Sequence, residues 1–287
     1  MNLAVMGTPA SQKKTSLSGA VGAAAYNMFD RWVNTARRWR RAAAHAAPDN
    51  CDKYLRCLRR DGYAALPNFY DAEYCDLLIA EIDRMMAIQP EVVRSDAIGA
   101  DHRVFGAERF SPLLGAYGAE PLLRGVGEVY NGGPLRNLCT LAGRLRFVPD
   151  NLGSGQGWHR DAFHFQYKAM VYLTDVTSEN GPFEIFAGSH RAINVVCDTI
   201  RGRLSKVPDS RITDEQVERL VKAEPERLRT VTAPRGTVII FDSSAIHRGA
   251  PIRCGIRYAL TNYYFRPDQC GSVLTEKFAP YPLPEST

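Results

Sequence analysis

The sequence predicts a mostly β fold with flanking helices, built as an antiparallel jelly roll or a related double sheet. Two observations support this prediction: short β-branched and aromatic runs recur along the chain, and Gly, Pro and Asn turns separate them. The length of 287 residues and the apolar content of 45% suit one large domain with an ordinary packed core. We divide the chain into a basic N-terminal arm, residues 1–50, and a β domain, residues 51–287.

The strand patterns are concentrated in the second half of the chain. They occupy residues 144–148, 168–174, 183–186, 237–241 and 257–265, and residues 230–236 hold a further strand followed by a turn. A glycine-rich turn at residues 151–157 follows the first of these strands. Asn180-Gly181 predicts another turn before residue 183, because both residues readily adopt positive φ.

Two segments have helical patterns. Residues 71–86 begin with an acidic cap and carry apolar residues at helical spacing, so this helix should buttress the outside of the barrel. Residues 213–222 predict a short helix inside a long insertion, residues 191–229, which suits a lid or a substrate-binding element. The basic residues of the insertion could meet an anionic substrate or be solvated loop charges: Arg191, Arg201, Arg203, Lys206 and Arg211.

The most informative motif is His159-Arg160-Asp161, followed 86 residues after Asp161 by His247. Two imidazoles and one carboxylate can occupy one face of an octahedral Fe(II) ion and leave three positions open. In an extended strand, positions i and i+2 point the same way, so His159 and Asp161 would share one interior while Arg160 faces out. Taken singly, these residues would more often be a surface histidine, a capping aspartate and a core histidine.

Other residues near the motif compete for the same roles. His190 is a second ligand candidate, but we expect it to bond to the backbone in its own turn. His164 lies an odd number of residues from His159, so a continuing strand would turn it to the opposite face. Four nearby aromatic residues are more typical of a core than of a substrate cage: Phe147, Phe163, Phe165 and Tyr172.

Four motifs, in this order along the chain, resemble those of the phytanoyl-CoA hydroxylase family. They are Trp158-His159-x-Asp161, Asn180-Gly181-Pro182, Gly188-Ser189-His190, and His247 with Arg257. The resemblance covers roughly residues 55–270. Members of this family are non-haem Fe(II)- and 2-oxoglutarate-dependent oxygenases with a double-stranded β-helix core, a cupin-like jelly roll.

The resemblance implies that His159, Asp161 and His247 are the iron ligands and that Arg257 pairs with the distal carboxylate of 2-oxoglutarate. A guanidinium can bind a carboxylate bidentately, which agrees with that role. Arg253 is an alternative partner, because Ile252-Arg253-Cys254 stands where many members carry Asn-x-Ser and the interval from His247 to Arg257 is one residue shorter than theirs. The further candidates for holding the co-substrate are Tyr172, Arg146 and Gly249.

The implied activity is hydroxylation of an unactivated C–H bond by Fe(II), 2-oxoglutarate and O₂, with release of succinate and CO₂. Because Asp161 supplies a carboxylate, no ligand position is left for a halide, so hydroxylation is favoured over halogenation. The substrate would be a small or lipid-linked molecule, with an anionic one slightly favoured. The alternatives are a catalytically silent jelly-roll binding protein and, more weakly, a different metal in the same barrel.

Charge is unevenly distributed along the chain. Residues 1–60 hold eleven Lys/Arg and three Asp/Glu, a balance of +8, whereas the remainder holds 25 against 28, a balance of −3. A basic helix at residues 26–41, with Trp32 and Trp39, could lie on an anionic membrane surface or pack on the domain with its arginines in water. No fold signature indicates nucleic-acid binding.

Cysteine usage and hydropathy bear on the cellular location. Seven cysteines, an odd number with no C-x-x-C pair, indicate a reducing compartment. No stretch of eighteen apolar residues occurs, so a spanning helix is not expected. We therefore predict a cytoplasmic protein, either free or peripheral to the inner face of a membrane.

Overall fold

The computed structural model describes residues 51–162, 165–204 and 210–278, with isolated positions between residues 18 and 48. The predicted arm and the helix predicted at residues 26–41 therefore lie almost entirely outside the described residues. Phe163, His164 and Lys206 also lie outside them. Within the described part, no helix is long and apolar enough to cross a membrane.

The described part of the chain contains ten strands and seven α-helices. The strands are β1 (Tyr63–Leu66), β2 (Arg94–Ser95), β3 (Asp101–Val104), β4 (Arg136–Arg146), β5 (Tyr167–Tyr172), β6 (Phe183–Phe186), β7 (Leu228–Val231), β8 (Val238–Asp242), β9 (His247–Gly249) and β10 (Ile256–Phe265). The helices are α1 (Asp52–Asp61), α2 (Ala72–Ile88), α3 (Pro112–Gly118), α4 (Pro121–Asn131), α5 (Ala192–Gly202), α6 (Asp214–Ala223) and α7 (Ser272–Lys277).

The strands form two antiparallel sheets. The large sheet has seven strands in the order β1-β8-β5-β10-β4-β3-β2, and the small sheet has three in the order β7-β6-β9. Strands that are distant in sequence are neighbours in both sheets, as a jelly roll requires. The predicted fold class is therefore the observed one.

The large sheet is buried on both faces. Every residue of β5 and β8 is buried, because one face packs on the helices and the other packs on the small sheet. Between the sheets lie Met170, Tyr172 and Phe241 of the large sheet against Phe183 and Ile185 of the small one. The opposite face of the large sheet is covered by helices.

Helix α2 covers the outer face of the large sheet, as the sequence predicted. Its N-cap Asp71 accepts a hydrogen bond from the backbone N–H of Tyr74 at 2.7 Å, and Leu78, Ile82 and Met85 are buried in the same cluster as strand residues of the large sheet. The cap satisfies one of the backbone donors that a helix start leaves without a partner.

Several boundaries differ from the prediction. Strand β4 begins at Arg136, eight residues before the predicted start at residue 144, and β7 begins at Leu228, two residues before the predicted start at residue 230. Phe147, predicted to be core, is 51% exposed because it follows the last residue of β4 at the sheet end. Phe165 is half-buried, and Tyr172 is fully buried in the core.

The predicted insertion holds more helix than expected. Helix α6 forms where residues 213–222 predicted one, with Thr213 and Gln216 in a reciprocal capping box. Helix α5 was not predicted. It contacts α6, and the two helices together occupy most of the described part of the insertion before β7 begins at Leu228.

Candidate metal centre

Three of the predicted site residues converge in space. The ligand atoms of His159, Asp161 and His247 all lie within 4.8 Å of one another. Nε2 of His159 is 3.6 Å from Oδ1 of Asp161, and Nε2 of His247 is 3.5 Å from Oδ2 of Asp161. The two imidazole ring centroids are 4.4 Å apart. Three donors at this spacing can coordinate one metal ion.

Hydrogen bonds to the backbone fix both imidazole rings. Nδ1 of His159 lies 2.9 Å from the Gly157 carbonyl, and Nδ1 of His247 lies 2.9 Å from the Ala245 carbonyl. A carbonyl can only accept, so each Nδ1 carries the proton and donates it. The Nε2 lone pair of each ring is therefore directed at the shared centre, which is how a metal-binding histidine is usually held.

The backbone joins the two halves of the motif directly. The N–H of His159 donates to the carbonyl of His247, and the N–H of His247 donates to the carbonyl of His159, both at 3.0 Å. The N–H of Asp161 donates to the Ser243 carbonyl at 3.0 Å, just beyond the end of β8. Residues next to the end of β8 and at the start of β9 therefore bring the three side chains together.

The glycine-rich turn brings the chain close to the first histidine. Gly155 has φ of +88°, and a Cβ at this position would lie 2.6 Å from Cε1 of His159. Gly153 has φ of +74°, and a Cβ there would collide with the Gly249 carbonyl oxygen. Only glycine satisfies both the left-handed backbone and the close approach at these positions.

The prediction for Arg160 was wrong. The residue is 2% exposed, and its Nη1 donates to the carbonyl of Ser189 at 2.9 Å and to the carbonyl of Ser244. The Ser189 hydroxyl also accepts from the N–H of Ile246 at 2.8 Å. Arg160 therefore links its own segment to the segments around Ser189 and Ser244 instead of facing solvent. Its segment lies outside the named strands, so strand alternation does not apply fully.

The predicted second ligand candidate, His190, is buried beneath Gly62 and does not line the cavity at the metal centre. The other candidate, His164, lies outside the described residues.

Lys168 is a site residue that the sequence analysis missed. It is 3% exposed, its Nζ donates to Oδ2 of Asp161 at 2.6 Å, and it lies 3.7 Å from the ring centroid of Tyr263. The sequence signal was available: a single lysine opens an otherwise apolar strand, and lysines are rarely buried without a partner.

Burial and the neighbouring charges keep the three side chains in the protonation states that can bind a cation. Burial, assisted by His247, lowers the pKa of His159 to about 3, and burial also lowers the pKa of His247. Burial alone would raise the pKa of the Asp161 carboxyl, but the Lys168 ammonium and the two imidazoles hold it well below its usual range. At neutral pH the site therefore offers two neutral imidazoles and one carboxylate, the protonation states a metal requires.

A cavity of about 260 Å³ opens beside the three residues. Besides the triad, its described lining includes Leu141, Met170, Phe183, Phe241 and Thr261 from the sheets, Ser154 and Gly155 from the glycine-rich turn, and Ser210 and Arg211 from the insertion. The metal centre therefore faces a small cavity that is bordered by residues of both sheets and of the insertion.

The two predicted carboxylate partners lie in different surroundings. Arg257 is 5% exposed and lines the cavity, where its guanidinium donates to the Gly181 carbonyl. The Arg253 side chain is 72% exposed and lies 3.5 Å from Glu179, away from the cavity. The structure therefore brings Arg257 and not Arg253 to the metal centre.

Of the three remaining residues predicted to hold 2-oxoglutarate, one lines the cavity and two do not. Gly249 lines the cavity, and a Cβ there would lie 3.2 Å from Nη2 of Arg257. Tyr172 is fully buried behind the cavity, where its hydroxyl donates to the Val231 carbonyl and accepts from the N–H of Phe183. Arg146 lies at the end of β4 and donates to the Gly99 carbonyl, so the structure does not bring it to the cavity.

Comparison with known proteins finds a matching family model. Residues 144–257, which contain the three candidate ligands and Arg257, match the family model described as phytanoyl-CoA dioxygenase. Over these residues the chain is similar to the phytanoyl-CoA dioxygenase family. His159, Asp161 and His247 lie inside the matched segment, and Arg257 is its last residue.

Two curated relatives of the chain are a dioxygenase and a hydroxylase. The chain is 26% identical over 212 residues to an ectoine dioxygenase of Stutzerimonas stutzeri, an alignment that covers 66% of this chain and 67% of the relative. It is 29% identical over 209 residues to an L-proline trans-4-hydroxylase of Streptomyces griseoviridis, covering 66% of this chain and 76% of the relative. The predicted Fe(II)- and 2-oxoglutarate-dependent dioxygenase is therefore confirmed over the catalytically silent alternative.

Solved structures support the fold. The non-haem epimerase SnoN from nogalamycin biosynthesis, in complex with Fe³⁺ and α-ketoglutarate, superposes with a TM-score of 0.57 at 21% identity, covering 78% of this chain and 88% of that chain. EctD from S. alaskensis with bound Fe superposes with a TM-score of 0.56 at 18% identity, covering 77% and 79%. The predicted cupin-like jelly roll is confirmed.

Proposed function

We propose that His159, Asp161 and His247 bind the Fe(II) of a dioxygenase that hydroxylates a small organic molecule. The observation that carries the proposal is the convergence of three ligand atoms within 4.8 Å, with both Nδ1 atoms committed to backbone carbonyls. Two imidazoles and one carboxylate form the facial set typical of non-haem Fe(II) oxygenases. The donor set fits the ion in type, number and protonation state.

Arg257 is the proposed anchor for the distal carboxylate of 2-oxoglutarate. Within the described residues, no carboxylate lies within ion-pair distance of this buried guanidinium, and a buried charge is costly until it is compensated. A carboxylate of the co-substrate would supply that compensation bidentately. Gly249 keeps the space beside the guanidinium open, since a side chain there would crowd Nη2.

The chain itself holds and orients the reacting groups. Bound Fe(II), with 2-oxoglutarate and O₂, supplies the oxidant that removes a substrate hydrogen, with succinate and CO₂ as by-products. Asp161 occupies the position that a halide would need, which favours hydroxylation. Phe183, Phe241 and Met170 contribute apolar surface to the cavity.

The substrate is a small molecule in this proposal. A cavity of about 260 Å³ lies at or below the lower end of the ordinary range for ligand pockets, and 2-oxoglutarate must share it. The relatives named above act on ectoine and on L-proline, which are small and carry a carboxylate. Small polar metabolites of this kind are the first substrates to test.

We also propose that residues 51–287 form the oxygenase domain and that the insertion at 191–229 acts as a lid. Ser210 and Arg211 of the insertion line the cavity, which supports this role. Three predictions from the sequence have no supporting observation in the described residues and stay predictions. They are a cytoplasmic location, peripheral contact of residues 26–41 with the inner face of a membrane, and a lipid-linked substrate.

The test of the proposed function is spectroscopic. Fe(II) and 2-oxoglutarate are added anaerobically to the full-length protein, and a weak visible metal-to-ligand absorption band is expected. His247→Ala should abolish the band, whereas His102→Gln, a histidine of β3 that does not line the cavity, should preserve it. Admission of O₂ with L-proline or ectoine then tests succinate formation. Absence of the band in the unmodified protein would refute the proposal.

A further inference from the structure

Lys168 is a buried charge to which the proposed function gives no role. It is 3% exposed, it lines the cavity, and its Nζ donates to Oδ2 of Asp161 at 2.6 Å. Like charges repel, so an ammonium beside a metal ligand weakens the binding of a metal cation at that ligand. A lysine that only neutralised Asp161 would therefore oppose the proposed function.

The large sheet fixes the position of the ammonium. Lys168 is the second residue of β5, and its register partners on the adjacent strands are Phe241 of β8 and Tyr263 of β10. Side chains in register on neighbouring strands share a face of the sheet, so these two aromatic residues flank the lysine. Its Nζ lies 3.7 Å from the centroid of the Tyr263 ring, a cation–π contact. The ammonium therefore reaches Asp161 from a defined direction.

The carboxylate of Asp161 has less support of its own. Its side chain is 25% exposed, and the residue lies outside the named strands. The Nε2 atoms of His159 and His247 lie 3.6 and 3.5 Å from its oxygens. Because the proton of each ring is on Nδ1, neither Nε2 can donate to the carboxylate. Among the described residues, Lys168 is therefore the hydrogen-bond donor that holds this carboxylate.

The contact with Lys168 makes the two oxygens of Asp161 unequal. Oδ2 accepts the hydrogen bond of the ammonium, and Oδ1 is the oxygen nearer to the His159 ring. A carboxylate can bind a metal ion through one oxygen or through both. Because the ammonium and a metal cation repel each other, binding through Oδ1 is favoured and sharing of Oδ2 is opposed.

We propose that Lys168 is a positioning residue that restricts Asp161 to one metal-binding oxygen. The proposal rests on the proposed function and adds a residue to it. With one oxygen from Asp161 and one nitrogen from each histidine, an octahedral ion keeps three open positions. 2-Oxoglutarate chelates through two of them, and O₂ needs the third. A second oxygen from Asp161 would fill that third position, so Lys168 keeps it available by holding Oδ2.

Water molecules bound to Mn(II) report the number of open positions. Mn(II) is added in place of Fe(II) to an excess of the full-length protein, so that nearly all of the ion is bound. The broadening of its EPR lines in water enriched in the magnetic isotope of oxygen counts the coordinated waters. We expect three in the unmodified protein and two in Lys168→Met, in which Oδ2 has lost its donor. With saturating 2-oxoglutarate the counts should fall to one and to none.

Lys168→Arg and Lys277→Met are the matched controls. Lys168→Arg keeps a cationic donor beside Asp161 and should retain three waters. Lys277→Met removes a positive charge from the exposed end of helix α7 at the border of the cavity, and it should also retain three. A loss of waters that is confined to the neutral variant at residue 168 and rescued by arginine would support the proposal.

Three waters in folded Lys168→Met, or two in the unmodified protein, would overturn the proposal. Lys168→Leu, which is also neutral and has no donor, replaces Lys168→Met if that variant does not fold. Failure of both neutral variants to fold, while Lys168→Arg folds, would assign Lys168 a structural role instead.

The visible band of Fe(II) with 2-oxoglutarate separates the two possible failures. If the band forms and the water counts of the unmodified protein and Lys168→Met are equal, the proposal for Lys168 is wrong and the proposed function stands. If the band itself does not form, the proposed function fails, and the proposal that depends on it fails as well.

Discussion

The imidazoles of His159 and His247 are fixed before any metal arrives. Each Nδ1 donates to a carbonyl two residues earlier in the chain, so the rings cannot rotate without losing a hydrogen bond. Preorganised ligands lose little freedom on coordination, which favours tight binding. The cost is that both rings are buried in the neutral state, and this makes the metal-free protein sensitive to acid.

The pKa of His159 predicts the direction of that sensitivity. The folded protein keeps this imidazole neutral down to a pKa of about 3, whereas the unfolded chain protonates it near pH 6.5. Between these values the unfolded state binds more protons, so stability falls as the pH falls. Between pH 6.5 and pH 5 the loss is about 2 kcal/mol, or roughly 4–8 °C in Tm.

Thermal unfolding of the chelator-treated protein at pH 7 and pH 5 measures this effect. His159→Gln keeps a polar, neutral side chain and removes the titrating group. Its loss of Tm between the two pH values should be smaller than that of the unmodified protein. Equal losses in the two proteins would show that His159 does not titrate as described.

Arg257 and Arg253 form a natural matched pair for testing the co-substrate anchor. In Arg257→Lys the bidentate fork is replaced by a point charge, so the KM for 2-oxoglutarate should rise at least tenfold while the fold is retained. Arg253→Lys changes an exposed side chain outside the cavity and should leave the KM within twofold. Steady-state succinate formation measures both values, and the reverse ranking would reassign the anchor to Arg253.

Among the single residues of the site, the sequence predicted those that belong to a recognisable motif. The spacing made His159, Asp161 and His247 candidates, and the resemblance to a known family implied their roles and that of Arg257. Lys168 was missed because an apolar run conceals one charged residue at its start. Arg160 was misassigned because its orientation depends on Ser189 and Ser244, which are distant in the sequence.

Helix α6 supports the metal centre from the side of the insertion. Its residues Val217 and Leu220 pack in one cluster with Trp158 and Ile246. Trp158 directly precedes His159, and Ile246 directly precedes His247. The helix therefore packs against the residues that set the positions of both histidines.

Leu220→Ala tests this connection. Both Leu220 and Leu78 of α2 are fully buried, so truncating either should cost about 2–5 kcal/mol of unfolding free energy. Only Leu220 lies in the cluster behind the histidines, so Leu220→Ala should also weaken Fe(II) binding severalfold. Anaerobic Fe(II) titration, followed by the visible band with 2-oxoglutarate, compares the two variants. Equal iron affinities would mean that the helix does not position the site.

The helices and strands that were predicted correctly are those whose residue pattern is visible within the segment itself. Strand β6 was predicted to the residue, and α2 and α6 to within two residues. Helix α5 was missed because its β-branched residues have low helix propensity and its stability comes from packing on α6. The early start of β4 was missed because pairing with β10, which includes an irregularity at Tyr263/Tyr264, extends the strand beyond its local pattern.

The metal centre lies where the two sheets meet. His247 begins β9 of the small sheet, and Asp161 is bonded to the residue that follows β8 of the large sheet. A metal ion bound by both would link the sheets. Since the unfolded chain cannot present the three ligands together, metal binding adds directly to the stability of the whole molecule.

Nickel with 2-oxoglutarate tests this without turnover. At a free concentration one hundred times its dissociation constant, a ligand adds about 2.7 kcal/mol, which corresponds to roughly 5–10 °C in Tm. We expect that increase in the unmodified protein and none in His247→Ala. An equal increase in the variant would place the stabilising metal elsewhere.

The reciprocal backbone bridge between residues 159 and 247 has one more implication. Each histidine is held in place by the other's peptide group, so separation of these two segments would remove a backbone support of both ligands at once. Substitutions that loosen the contact between the two segments are therefore expected to weaken metal binding even where they leave all three ligands unchanged.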